Sequence, residues 1–98
     1  MALLEDVKLA LRITSSAFDT EVQDLVEAAR QDLILSGVSP GKANNDNDPL
    51  IKRAIIVYCK THFGYDNPEA DRFQRSYDLL KMHLTSSLDY TGGDPGAT

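Results

Sequence analysis

Residues 48–63, DPLIKRAIIVYCKTHF, decide how the rest of the chain is read. Asp48 has a side chain that can accept hydrogen bonds from the free amides of a helix start, and Pro49 suits the first helical position, where no amide is needed. Leu50, Ile51, Ala54, Ile55, Tyr58 and His62 follow at helical spacing as one wide stripe, while Ile56, Val57 and Cys59 spread apolar character almost around the helix. The β-branched residues also suit a strand. The proline start, the length and the spacing of Lys52, Arg53 and Lys60 favour a helix. A helix apolar on so many sides is expected at the centre of its domain.

Upstream, residues 36–48 read SGVSPGKANNDND, side chains that favour turns, so a loop is expected there. Its thirteen residues exceed the ~2 to 8 usual between packed helices, which makes it a candidate contact surface with Val38, Pro40 and Lys42 as contact residues. Before it, Phe18, Val22, Leu25, Val26, Ala29 and Leu33 recur at helical spacing, with Glu21, Asp24, Glu27 and Gln31 elsewhere on the wheel. Acids crowd the start of this helix, where its dipole favours negative charge, and Gly37 follows its last turn. A cap is expected at Ser16 or a near neighbour. Leu3, Leu4, Val7, Ala10 and Leu11 mark a shorter first helix.

Downstream, Gly64-Tyr65-Asp66 breaks the pattern and Asn67-Pro68-Glu69 repeats the cap-then-proline start of a further helix, whose buried side is expected to be Phe73, Tyr77, Leu80 and Leu84. Past Leu88 the sequence DYTGGDPGAT loses periodicity and gains Gly and Pro. The expectation is an all-α protein. Residues 1–88 form a compact four-helix domain with a short first helix, two longer central helices and a C-terminal helix, and residues 89–98 form a flexible tail. Leu88 and Tyr90 at the start of that tail are further candidate contacts.

At 98 residues the chain fits one core, burying roughly two thirds of its unfolded surface. Cys59 is its only cysteine, so internal disulfides and cysteine-rich metal cages are ruled out. No apolar run reaches the ~18 residues of a membrane span, and the acids in MALLEDVKLALRI do not suit a secretory leader, so a cytoplasmic protein is expected. Residues 1–49 hold nine acids against four bases and so carry the whole net charge of -5, whereas residues 50–98 balance six against six. A phosphate backbone meets repulsion from one half and no concentrated attraction from the other, which disfavours tight DNA binding by a lone subunit.

Residues able to carry chemistry are few. Cys59 and His62 stand three apart on one helix, but a reactive pair needs an orienting group and zinc needs four ligands, so the core reading is preferred. No GxGxxG or GxxxxGK[ST] occurs. Glu27 with Arg30 reads as a solvated pair worth ~0.2 to 0.5 kcal/mol. Lys52, Arg53, Lys60, Arg72 and Arg75 read as cations lying over the core and balancing acids. No catalytic residue, cofactor or metal is assigned, and the protein is not expected to be an enzyme.

The order and spacing of these elements resemble the head-tail connector proteins of tailed bacteriophages. The opening matches in Leu4, Val7, Lys8, Leu11, Arg12 and Ile13, the second helix in Glu21, Val22, Leu25, Val26, Ala28 and Ala29, and the third in DPLIKRAIIVYCKTHFGYDNPE, over roughly residues 3–85. The resemblance implies a homo-oligomeric ring, twelve-fold in the virion, that docks beneath the phage portal protein, joins it to a further connector or tail-completion protein, and lets DNA pass. It implies a place at the head-tail junction after synthesis in host cytoplasm, with no membrane and no sequence-specific nucleic acid as partner. Within such a ring Glu21, Asp24 and Glu27 are candidate lumen-facing acids, and the tail is expected to order only on assembly. The alternative is a small helical DNA-binding or regulatory module of phage or bacterial origin, which a basic recognition helix would have favoured.

Overall fold

The computed structural model describes residues 3–64 and 67–92. Its elements are α1 (Leu3–Leu11), a 3-10 turn (Ser16–Phe18), α2 (Asp19–Ser36), α3 (Pro40–Ala43), α4 (Pro49–His62), α5 (Ala70–Thr85) and α6 (Leu88–Thr91), with no strand among the described residues. The all-α expectation holds. The four expected helices are α1, α2, α4 and α5, and two single-turn helices, α3 and α6, join them.

The start of α4 is fixed as its sequence requires: Asp48 Oδ1 accepts from the amides of Leu50 (3.0 Å) and Ile51 (3.2 Å), with Pro49 in the first turn. Ile51, Ala54, Ile55, Val57 and Cys59 are buried, an arc wide enough for α1, α2 and α5 all to pack on this one helix. That arc differs from the expected stripe. Leu50 is 47% exposed and His62 is exposed, because burial follows the three packed neighbours rather than one line of hydrophobic residues. On α2 Val22, Val26, Ala29 and Leu33 are buried as expected, together with Arg30, whereas Leu25 is half-buried and Phe18, in the preceding turn, stays half-exposed and sets its ring edge-on against Phe63 at 5.7 Å.

Ends are closed locally. Ser15, a neighbour of the expected Ser16, accepts from Ala17 N and caps the 3-10 turn. Gly37 takes φ 124, a conformation that strains residues with a Cβ, and lets Val38 N reach Leu33 O at 2.9 Å. Arg12 takes the same role after α1 at φ 62, with Ile13 N on Lys8 O at 2.9 Å. Asn67 joins two helices: its Nδ2 donates to Lys60 O at the end of α4 (2.6 Å), and its Oδ1 accepts from Glu69 N just ahead of α5. The α5 helix therefore begins at Ala70, two residues past Pro68. It buries Tyr77 and Leu84, with Phe73 and Leu80 half-buried beside them. Tyr65 and Asp66 of this junction lie outside the described residues.

Helical turns appear within two segments expected to be irregular chain. The 36–48 segment contains α3, started by Ser39, whose Oγ accepts from Lys42 N, and by Pro40. Helical order also crosses the expected boundary at residue 88. The α6 turn is held by Ser39 N on Tyr90 O (2.8 Å), by the Tyr90 hydroxyl donating to Asp48 Oδ1 (3.0 Å), and by Lys42 Nζ 5.3 Å from the Tyr90 ring centre. These ties span 42 or more residues of chain, so local periodicity could not announce them. Residues 93–98 of the expected tail lie outside the described residues.

The helices alternate in direction. Phe63 at the end of α4 meets Phe18 at the start of α2, so these two are antiparallel, and α5 turns back again. It thus runs with α2, to which it is tied by the Tyr77 hydroxyl (2.6 Å) and Lys81 Nζ (3.0 Å) on Asp32 Oδ2.

Leu33→Ala, at a fully buried position, is expected to lower unfolding stability by about 2 to 5 kcal/mol, whereas Leu9→Ala, at a residue 76% exposed, should change it by under about 0.5 kcal/mol in urea titrations. Equal effects would refute this core. The Asp32 carboxyl gives a pH dependence: burial alone would raise it, but the Tyr77 hydroxyl and the Lys81 ammonium outweigh burial and hold it below its ordinary value. Its contribution is then complete above the unfolded value of about 4 and is lost as pH falls through the lower folded one. Wild type should lose stability more steeply than Asp32→Asn on acidification below about pH 4, and parallel curves would show the carboxylate is not held low.

Candidate functional site

Arg30 explains why the 38–48 segment keeps its path. It is only 8% exposed, although it is charged, because its guanidinium meets three partners: Ala43 O at 3.0 Å from Nη1, Asp46 Oδ1 at 2.7 Å from Nη2, and Glu27 Oε2 at 3.5 Å from Nε. Burying a cation is costly unless its donors are met, and here they are met by the segment it secures. Three-residue spacing alone makes Glu27 and Arg30 a solvated pair. Arg30 is instead buried, and the longer contact to Glu27 is the weakest of the three. A cation followed by a segment rich in Asn and Asp was a signal, but one that needed the third dimension.

The candidate contact residues divide. Val38 is 1% exposed and belongs to the core, so its side chain is not offered to a partner. It follows Gly37 directly, and the turn at that glycine aims it inward. Pro40 is exposed, and Lys42 is half-buried against Tyr90. Tyr90 is itself half-buried, with its hydroxyl on Asp48, and Leu88 is 74% exposed. Pro40 and Leu88 are thus the members of this set on open surface.

Glu21, Asp24 and Glu27 are all exposed on α2. Glu27 accepts from Gln23 Nε2 at 3.1 Å. Glu21 lines a cleft of about 480 Å³ with Phe18, Phe63 and Gly64. The expected cations are dispersed. Lys52 pairs with Asp6 (3.1 Å), Lys60 and Arg72 lie over Phe73 at 5.4 and 4.7 Å, Arg72 also pairs with Glu69, and Arg53 and Arg75 are exposed. Among the described residues no basic patch of the five is assembled.

Sequence reasoning missed the exposed apolar residues. Leu35 is 84% exposed, Leu79 56% and Met82 53%, and the last two line a shallow groove of about 380 Å³ on α5 with Arg75 and Asp78. The helical wheel held the signal, since Leu35 stands opposite Leu33, and Met82 opposite Leu80 and Leu84.

The chemistry on offer is limited. Cys59 is fully buried, and burial pushes its thiol up to about 12, so almost none is thiolate at neutral pH. His62 turns to Tyr58, ring centres 4.4 Å apart. The described residues contain no group of three or more His, Cys, Asp or Glu side chains suited to a metal ion, and no helix long and apolar enough to cross a membrane.

What the arrangement presents is therefore surface: an acidic outer face on α2 and an apolar groove beside a cation on α5. No curated protein and no solved structure matches the chain. A model of the phage connector protein family matches residues 3–91, from the first turn of α1 to the end of α6. With every helix inside that match, the chain belongs to the phage connector protein family, a family of structural phage components.

Proposed function

We propose that the chain is a head-tail connector subunit: copies close into a ring, expected to be twelve-fold, that docks beneath the portal, joins it to a further connector or tail-completion protein, and leaves a passage for DNA. The observation that carries this reading is the span of the family match, which takes in the helical body as a whole rather than an appended motif. The surface supports it. A closed ring uses heterologous contacts, so each copy has to present two unlike faces. The acidic side of α2 and the groove on α5 are unlike faces of that kind. Pro40 and Leu88, both exposed near the α3 and α6 turns, are available to the portal or to the next connector. A buried Cys59 with a raised thiol suits a structural rather than a catalytic part, and the protein's final place is then the virion.

The experiment is to mix the purified protein with portal rings from the same phage and examine the products by native mass spectrometry and negative-stain microscopy. A stoichiometric ring capping one end of the portal is the expected result. Protein that stays monomeric beside the portal, together with normal tailed particles from a phage lacking this gene, overturns the reading.

A further inference from the structure

Two lines of side chains on the outside of the bundle have the same spacing. On α2 the line is Asp24, Ala28, Gln31, Leu35, and on α5 it is Arg75, Leu79, Met82, Ser86; all eight residues are exposed. Each line lies opposite the buried face of its own helix. Both therefore point away from the core, and folding explains neither. Both begin with a charge, of opposite sign, and neither Asp24 nor Arg75 has an ion-pair partner among the described residues. Beyond the charge, α2 offers a small residue at Ala28 where α5 offers Leu79 and Met82 beside its groove.

Direction matters as much as composition. The α2 and α5 helices run the same way, since Asp32 meets Tyr77 and Lys81, and Gly37 lies near Thr85 one turn further along both. Both pack along α4, and they meet each other around Asp32. A rotation about an axis roughly along the helices, as between neighbours in a ring, sets α5 of one copy parallel to α2 of the next. Since Asp32 stands level with Tyr77 and Lys81, the charged ends then fall about one helical turn apart, a stagger that a slight inclination of the axis closes. Antiparallel pairing would instead place Asp24 beside Ser86 and Arg75 beside Leu35.

We propose that these lines are the two halves of the contact between neighbouring copies of this chain, with Arg75 against Asp24 and with Leu79 and Met82 packed over Ala28. The inference rests on the ring reading and names its surfaces. A second copy is the occupant because the complement of each face is carried by the same chain: opposite charge at the same end, small residue against large. Glu21 and Glu27 flank Asp24 and deepen the negative field that Arg75 enters. Asp78 beside the groove is engaged by Gln74 Nε2 at 2.9 Å. The α2 acids thereby face a neighbour instead of lining the DNA passage.

Charge reversal tests the contact. Asp24→Arg and Arg75→Asp, each at an exposed position, should keep the helical circular dichroism signal but raise the concentration for half-assembly about tenfold or more, while the double variant restores it to within about threefold of wild type. Single variants that assemble like wild type overturn this contact and leave the ring standing. So does a double variant no better than either single. Wild type that never assembles, alone or on the portal, overturns ring and contact together. As a second readout, Ala28→Cys with Leu79→Cys in one chain should oxidise to a ladder of covalent oligomers in assembled rings, and rings that yield no ladder overturn the pairing.

Discussion

The structure depends on one helix being apolar over most of its circumference. Buried positions on α4 run from Ile51 through Ala54, Ile55 and Val57 to Cys59, and this lets α1, α2 and α5 share a single partner instead of each seeking its own. A chain of 98 residues without a disulfide has no second core to fall back on. Each buried methylene on α4 contributes about 0.8 kcal/mol of transfer free energy, so the arc rather than any one residue holds the bundle. A helix apolar on one stripe would have secured α2 and left α1 or α5 loose.

Around this core, beside the Asp32 tie between α2 and α5, several polar ties sit at helix ends, where backbone groups lack intrahelical partners. A single Asp48 oxygen starts α4 and also accepts from Tyr90, and Asn67 closes α4 onto the approach to α5. Arg30 performs the corresponding task for the α3 segment. One side chain thus satisfies a local requirement and fixes a distant segment in the same act. Replacing such a residue removes a cap and releases a neighbouring element together, a coupling that helix propensity does not contain.

Local physics was legible in the sequence. The amphipathic spacing of Val22, Val26, Ala29 and Leu33, or of Tyr77, Leu80 and Leu84, is a property of each segment alone, and the helices fell where it placed them. The α3 turn was legible too, since Ser39-Pro40 carries the same cap-and-proline signal as Asp48-Pro49, but the surrounding Gly and Asn residues masked it. What was not legible depends on neighbours. Leu50 and Val57 are similar residues on one helix, and only the arrangement of α1, α2 and α5 decides that Val57 is buried and Leu50 is not. Val38 looked like loop surface and became core because Gly37 turns the chain inward. Pro40, Leu88 and the α2 acids are exposed, but exposure is a property of the fold and assigns none of them a partner.

That division bears on what the outer faces are for. Leu35 at 84% exposure gains almost nothing from folding, and Leu79 and Met82 gain little, so the stability of the subunit does not account for them. Single exposed apolar residues are ordinary. A row of them in matching register with a row on another helix, each headed by a charge of opposite sign, is a constraint of a different kind. Folding acts on the face of α2 that meets α4 and is indifferent to the face that meets solvent. Folding therefore leaves the pattern on the solvent side unexplained, and it is on that side that the proposed contact between copies is drawn.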